Sequence, residues 1–572
     1  MIKTADLILC GGAMFTGTEA PMNESSRAHE RDADAEKTKW VAARGDRIMS
    51  VGEGDGFSAL VGEGTEICDF GPNAFIMPGI HDNHVHLVLA GMLDKYPKLY
   101  GAPSQESCAA AAADAAAKYP SEEWVIGFGF CRLLWDNMAM PHRSMLDRYV
   151  PDRPVILLDS ELHAAWVNTK ALELAGVDKN TPDPPFGKIE RDADGTPSGY
   201  LVETALSLAA KKAFEFTPQI AEDLIVRYAS AANRFGITSV SDMTPYLGID
   251  LSCFDSFAAL ARSGKLTLRV NAAFDLFSDP DEFVKKAAIA GSIDGGMYRV
   301  AYMKQFIDGI LANYTAMMLD GYTSNPNEKG GPLLPLDLLN SAVADANAHG
   351  IPVRLHACGD GAVRTALDAF AASTEAMRSA RRGENSGAES PSTIRNQVEH
   401  IEVIDPSDIA RFASLGVIAS VQPEHIVSGI NSHSENCYPE YLGPERERYT
   451  WPFRTMLDAG VCLAMGSDAP VVAGSPFEGI YTGMTRVHTD GTPEGGWNPS
   501  EKLTAKQLLR GYTKDAAFAE MREYELGTLE PGKLADIAVI DRDLLAAKPD
   551  SIRDAKALMT VCGGRVVHRE ES

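Results

Sequence analysis

The sequence predicts an α/β protein: a (β/α)8 TIM-type barrel, a small β-sandwich domain assembled from both termini, and an insertion after barrel strand 1. Three observations carry that prediction. From about residue 73, short apolar runs alternate with helix-patterned segments, the signature of βα units on a parallel sheet. Both ends of the chain read as short strands, and neither end alone could bury a core. Between the first two barrel strands lies a stretch from about 90 to 235, far beyond an ordinary crossover.

Residues 1–72 hold β-like runs at Ala5–Cys10, Trp40–Ala43, Arg47–Val51 and Glu66–Phe70, with a polar stretch at 21–38 that reads as a loop. Eight strand candidates define the barrel region, residues 73–520: Phe75–Ile80, Ile237–Asp242, Leu268–Phe274, Ala301–Ile307, Pro352–His356, Asn396–Ile401, Val417–Val421 and Cys462–Ser467. Helical patterns fall between them, among them Ile220–Phe235 and Leu336–Ala348. The insertion has strand-like runs of its own, Trp124–Phe130 and Val155–Leu158, and an Ala-rich helical stretch near Ala109–Lys118. At the C-terminal face of a barrel it would shape the substrate cavity. Glu375–Ser392 reads as a surface loop. In residues 521–572, Ile537–Ile540, Ala557–Val561 and Val566–His568 complete the sandwich.

Composition narrows the function. The chain has 572 residues, 45% of them hydrophobic, and a formal net charge of -26. Nucleic acid and anionic membrane surfaces call for basic patches, so neither is an expected partner. Nine scattered cysteines form no C-x-x-C pair, which fits a reduced, cytoplasmic setting rather than a disulfide framework. The N-terminus does not read as a signal peptide.

The chemistry gathers at strand ends. Pro78–His86 sets His84 and His86 two residues apart after an apolar run, so on a strand both imidazoles face one side and suit a divalent transition metal. Lys304 sits in an otherwise apolar strand. His356, His400 and Asp468 end later strands. Taken singly, Lys304 reads equally as an ion-pair partner of Glu399 or Asp308, and Asp468 as a helix N-cap. Their ordered recurrence on separate strands points instead to one site.

With these stretches in hand, the chain resembles the amidohydrolase superfamily in its YtcJ-like branch. The matching segments are Pro78–His86, Trp166–Leu172, Thr196–Glu203, the strand around Lys304, His356–Asp360, His400, Ser420–Pro423, Gly466–Pro470 and Gly527–Asp536. The resemblance implies one or two divalent ions, zinc foremost with manganese or iron as alternatives. It implies His84 and His86 as ligands of a buried metal, His356 and His400 as ligands of an exposed one, and Lys304 as a bridge once its amine has added carbon dioxide. Asp468 would bind metal and act as the catalytic acid/base. The implied reaction is hydrolysis of a C–N bond in a small-molecule linear amide or N-formyl compound. A cyclic amide or imide, or a non-catalytic binding module, remain the alternatives. Gly359 stands where deaminases of the superfamily carry a glutamate, which disfavours that reaction. Trp135, His163, Glu203 and Gln422 are candidate substrate contacts, with His425, Tyr314 and Thr315 in the same class. Phe128, Phe130 and Trp135 hint at an apolar cavity. By analogy with relatives, the β-domain and exposed barrel helices would support a homodimer.

Overall fold

The computed structural model describes residues 4–18, 38–93, 95–120, 123–135, 138–244, 246, 249, 251–383, 394–427 and 430–571. Residues 21–37 of the expected N-terminal loop lie outside them. Eight parallel strands form one sheet in strict chain order: Ile80–Val85, Ile237–Asp242, Arg269–Asp275, Tyr298–Phe306, Val353–Ala357, Gln397–His400, Ile418–Val421 and Leu463–Met465. The eighth strand meets the first through a parallel bridge between Val85 and Ala469. Asp468 N donates to His84 O at 2.7 Å, and His86 N to Ala469 O at 2.9 Å. Closure of the barrel therefore brings the first-strand histidines against Asp468.

One strand assignment is corrected. The run Phe75–Ile80 is not the first barrel strand. It divides at Gly79, and Phe75–Pro78 pairs antiparallel with Ile537–Ile540 in the terminal domain. The barrel strand starts at Ile80 and carries the chain on through His84. A Cβ on Gly79 would lie 2.2 Å from Thr238 Oγ1, so only glycine lets the chain pass this close to the second strand.

The termini build the sandwich as expected. One sheet holds Leu7–Gly11, Lys39–Arg44, Arg47–Glu53 and Glu66–Asp69. The other joins Ala13–Met14 and Phe75–Pro78 to Ile537–Ile540, Ala557–Cys562 and Arg565–Arg569. Leu9, Val41, Ile76, Val539 and Met559 interleave between them, each fully buried and worth about 1.5–3 kcal/mol. A buried bidentate pair ties this domain to the barrel: Arg269 Nε and Nη2 donate to Asp536 at 2.8 and 2.9 Å.

The insertion is a five-stranded sheet flanked by helices, among them Gln105–Lys118 with a capping box at Ser104. Its strands alternate sides. Val155, Leu157 and Trp166 face its own helices, while Ile156, Leu158 and Val167 pack on the barrel. Three of the five strands escape pattern reading: Ala164–Val167 is only four residues long, and Gly187–Arg191 and Pro197–Glu203 carry glycine or proline. Residues 375–383 are not loop, as expected from composition, but continue the helix Asp360–Gly383; 384–392 lie outside the described residues. No helix among the described residues is long and apolar enough to cross a membrane.

Candidate active site

Four imidazoles and one carboxylate converge where the strands end. The rings of His84 and His86 lie 5.6 Å apart, those of His84 and His400 4.8 Å, and those of His356 and His400 4.4 Å. Asp468 Oδ1 is 3.3 Å from Nε2 of both His84 and His86. All five residues are buried. Two of them sit in left-handed backbone, His400 at φ 71° and Asp468 at φ 62°. Such strain costs about 1–3 kcal/mol per residue and persists where the surroundings fix it. At His400 it also ends the strand alternation, so that Glu399 and His400, neighbours in sequence, both turn toward the site.

Buried polar groups set the orientation of these rings. His84 Nδ1 donates to Glu399 Oε2 at 2.6 Å, which leaves Nε2 to face Asp468. Glu399 Oε1 accepts from Arg354 Nε at 2.6 Å, and Arg354 also reaches Glu520 at 2.9 Å. Burial favours the acid form of Glu399, but the Arg354 charge and then His84 outweigh it and hold the carboxyl below its usual range. Gln422 Oε1 accepts from His400 Nδ1 at 3.0 Å and so frees the other nitrogen. Asp82 accepts from Ser467 N and Oγ at 2.8 and 2.6 Å, pinning the turn that presents Asp468. His81, on the opposite face, lies 3.1 Å from Ser241 Oγ and is structural.

The charge balance favours a cation at the centre. Burial opposes protonation of His84, yet Asp468 and Glu399 override it and raise its pKa. Burial lowers His86, His356 and His400, keeping their lone pairs available. Lys304 is 1% exposed, and its Nζ has no hydrogen-bond partner among the described residues. Glu399, a candidate partner for it, is already taken by Arg354 and His84. Desolvation brings the Lys304 amine down to about 8. Asp468 Oδ1, His86 Nδ1 and His356 Nδ1 are likewise buried without hydrogen-bond partners among the described residues. This donor set fits a divalent metal. The ligand atoms of His84, His400 and Asp468 fall within 4.8 Å of one another, as do those of Asp308, His356 and Cys358. Asp308 already accepts backbone N–H groups from Met317, Cys358 and Gly359 at 2.8–3.0 Å.

The candidate substrate contacts fall in different places. His163 reaches the site from the insertion, its ring 5.2 Å from that of His356. Glu203 accepts from His163 Nδ1 at 2.7 Å and from Thr315 Oγ1 at 2.6 Å, so both its oxygens are engaged. Gln422 serves His400, as above. His425 lines the cavity, its ring stacked 5.9 Å from that of His400. Tyr314 stacks on Tyr441 at 4.2 Å. Trp135 lies in the insertion core, stacked on Phe130 at 5.5 Å beside Trp166, so these aromatics fill a core rather than wall a cavity. A cavity is bordered by His86, His163, His356, His400 and Asp468.

The amidohydrolase family matches positions 73–568, most of the chain. The chain belongs to the amidohydrolase family. It is 26% identical over 501 residues to the putative amidohydrolase YtcJ of Bacillus subtilis, covering 87% of this chain and 89% of the relative. It is 27% identical over 566 residues to the N-substituted formamide deformylase of Arthrobacter pascens, covering 94% and 96%. Protein LONG AFTER FAR-RED 3 of Arabidopsis thaliana is 27% identical over 571 residues, covering 99% and 92%. Among solved structures, an uncharacterized metal-dependent hydrolase from Pyrococcus horikoshii shares the fold with a TM-score of 0.71 at 23% identity, over 95% of this chain and 99% of that one.

Sequence reasoning missed several residues of this amidohydrolase site: Glu399 as the partner of His84, Arg354 behind it, and Glu161, Tyr246 and Glu402 in the cavity wall. Arg354 and Glu399 carried a usable signal, since each is a charged residue inside a buried strand that must find a partner there. The cavity-wall residues lie in turns whose placement depends on the folded barrel.

Proposed function

We propose that this amidohydrolase is a metal-dependent hydrolase of carbon–nitrogen bonds, acting on a linear amide or N-formyl compound. One observation carries the reading: Nε2 of His84 and of His86 meet Asp468 Oδ1 at 3.3 Å, with His400 beside them, in a buried pocket open to a cavity. His84, His86 and Asp468 would hold one ion. His356 and His400, with Lys304 as its carbamate, would extend the site to a second. When bound, such an ion acidifies water and polarises a carbonyl.

The chain's own residues do the rest. Glu399 and Gln422 fix the tautomers of His84 and His400. Asp468 stays ionised: burial opposes this, but the His84 and His86 imidazoles hold its carboxyl far below the usual range. Its Oδ2, 3.7 Å from His425 Nε2 and 3.8 Å from His400 Nδ1, is placed to take a proton from the attacking water. The same oxygen returns that proton to the departing amine nitrogen. Lys304, desolvated, holds a neutral amine over a fraction of its population near neutrality, the form that adds carbon dioxide.

The reading draws on the likeness to an N-substituted formamide deformylase for its substrate class. The test is metal analysis of the purified protein together with a screen of formamides, acyl-amino acids, ureas and cyclic imides, scored for released amine. Near-stoichiometric zinc, manganese or iron and turnover abolished by a His84→Ala, His86→Ala double substitution are expected. A protein free of metal, or activity that survives that substitution, refutes the assignment.

A further inference from the structure

Two glutamates stand in the cavity wall alongside the histidines. Glu161, from the insertion, and Glu402, from the turn after the sixth barrel strand, both line it. Among the described residues, no lysine or arginine does. Glu402 Oε2 accepts from Tyr438 OH at 2.8 Å. Glu161 Oε2 is shut off from solvent and has no hydrogen-bond partner among the described residues. A buried carboxylate oxygen left unpaired is costly, and native proteins reserve such groups for a ligand or an ion.

A second group in the same cavity also lacks a partner. Tyr246 is 2% exposed, borders the cavity, and packs edge-on against His86 at 5.0 Å. Its hydroxyl bonds to nothing among the described residues. The cavity wall thus offers a free hydroxyl beside His86 and a pair of glutamate side chains. Burial, and then the neighbouring charge of Glu402, pushes Glu161 well above the usual carboxylate range, so the acid form is favoured until a cation draws it to the carboxylate.

We propose that the cavity takes a substrate bearing a cationic nitrogen, an ammonium or guanidinium group, seated against the carboxylates of Glu161 and Glu402. The scissile bond then lies toward His86 and Asp468. A cation satisfies the unpaired oxygen and relieves the repulsion between the two glutamates. His163 in the same wall is already taken by Glu203 at 2.7 Å, so an anionic group there would be disfavoured. The inference rests on the hydrolase reading and adds the substrate's charge to it.

The test uses the metal-loaded full chain and three amides of matched length: N-formyl hexylamine, N-formyl cadaverine, which ends in an ammonium, and N-formyl aminohexanoate, which ends in a carboxylate. The cationic amide is expected to exceed the neutral one in kcat/KM by at least about tenfold, with the anionic one slowest. Glu161→Gln and Glu402→Gln are each expected to narrow the cationic-to-neutral ratio severalfold; thermal melts confirm that the variants fold. In parallel, calorimetry compares binding of hexylammonium and hexanol to the wild type and to the variants. Turnover without charge preference, or with the anionic amide fastest, overturns the cation site and leaves the hydrolase reading standing. If no amide turns over, calorimetry decides: hexylammonium bound more tightly than hexanol and weakened by the glutamine variants upholds the cation site while the hydrolase reading falls. Equal binding of the two overturns it.

Discussion

Glu399→Gln tests the link between the buried network and the candidate metal centre. The side chain is 0% exposed and serves two donors at once, His84 Nδ1 at 2.6 Å and Arg354 Nε at 2.6 Å. A glutamine supplies one acceptor oxygen and one NH2 group in the same space. If the oxygen faces Arg354, the amide donates to His84 Nδ1 and moves the imidazole proton to Nε2, the nitrogen 3.3 Å from Asp468. If the oxygen faces His84, the NH2 group meets the Arg354 N–H, donor against donor. The first arrangement disables the ligand atom, and the second leaves a buried guanidinium partly unpaired. Loss of such outer partners typically lowers metal affinity about 10–100-fold, or about 1.4–2.8 kcal/mol. Breaking a buried ion pair costs about 3–5 kcal/mol of stability; Glu520, still on Arg354 at 2.9 Å, makes that an upper bound. Competition with a chromophoric chelator reads the affinity, and thermal denaturation of the metal-free protein reads the fold. Affinity within about twofold of the wild type, at an unchanged melting temperature, would refute the idea that Glu399 sets the tautomer of His84.

Asp468→Asn is expected to keep the fold, since asparagine tolerates left-handed backbone, and to lower kcat at least about a hundredfold, in line with loss of a general acid/base; activity near wild type in a steady-state assay contradicts the role given to its carboxylate. Lys304 gives a pH prediction. Its folded value of about 8 lies below the ordinary 10.5, so the unfolded chain binds the extra proton between those limits. The resulting penalty is absent above about pH 10.5, grows as pH falls, and is complete below about 8, where it is worth about 3 kcal/mol. In carbon-dioxide-depleted, metal-free buffer, Lys304→Met is therefore expected to be the more stable protein at pH 7, with the gap closing toward pH 10.5; a pH-independent gap in denaturant titrations rules this out. Asp536→Ala removes the carboxylate from buried Arg269, leaving it only the Gly295 and Gly296 carbonyls, and is expected to destabilise the chain by up to about 3–5 kcal/mol without changing metal affinity. An unchanged denaturation midpoint would show that the pair does not anchor the sandwich domain to the barrel.

What was legible in the sequence follows from where the physics is local. Strand runs such as Ile237–Asp242, and the two-residue spacing of His84 and His86, are local patterns, and each marks its element without reference to the rest of the chain. The convergence of His356, His400 and Asp468 could be read because barrel topology carries strand ends to one face. The barrel strand is displaced from the apolar run because Phe75–Pro78 carries the apolar pattern while Ile80–Val85, though buried, is mostly polar, and only tertiary pairing separates the two at Gly79. His400 and Glu399 show the limit from the other side. Strand periodicity assigns neighbouring residues to opposite faces, and it is the left-handed backbone of His400 that lets both serve the site.

The division of labour inside the site follows from the same architecture. The groups that would hold metal and move protons, His84, His86, His356, His400 and Asp468, stand on or just beyond closed barrel strands, and a buried Glu399–Arg354–Glu520 chain braces His84 from below. Rigid supports of this kind are what a reaction centre needs, because small displacements there are costly. His163 and Glu161 come instead from the insertion, one face of which packs on the barrel while the other keeps a separate core around Phe130, Trp135 and Trp166. A sheet with its own core can alter the residues at its cavity edge without disturbing the strand ends beneath. On the proposed function, substrate preference would belong chiefly to the insertion and the turns and the capacity to activate water to the barrel, so substitutions in the two regions should act on selectivity and on turnover respectively.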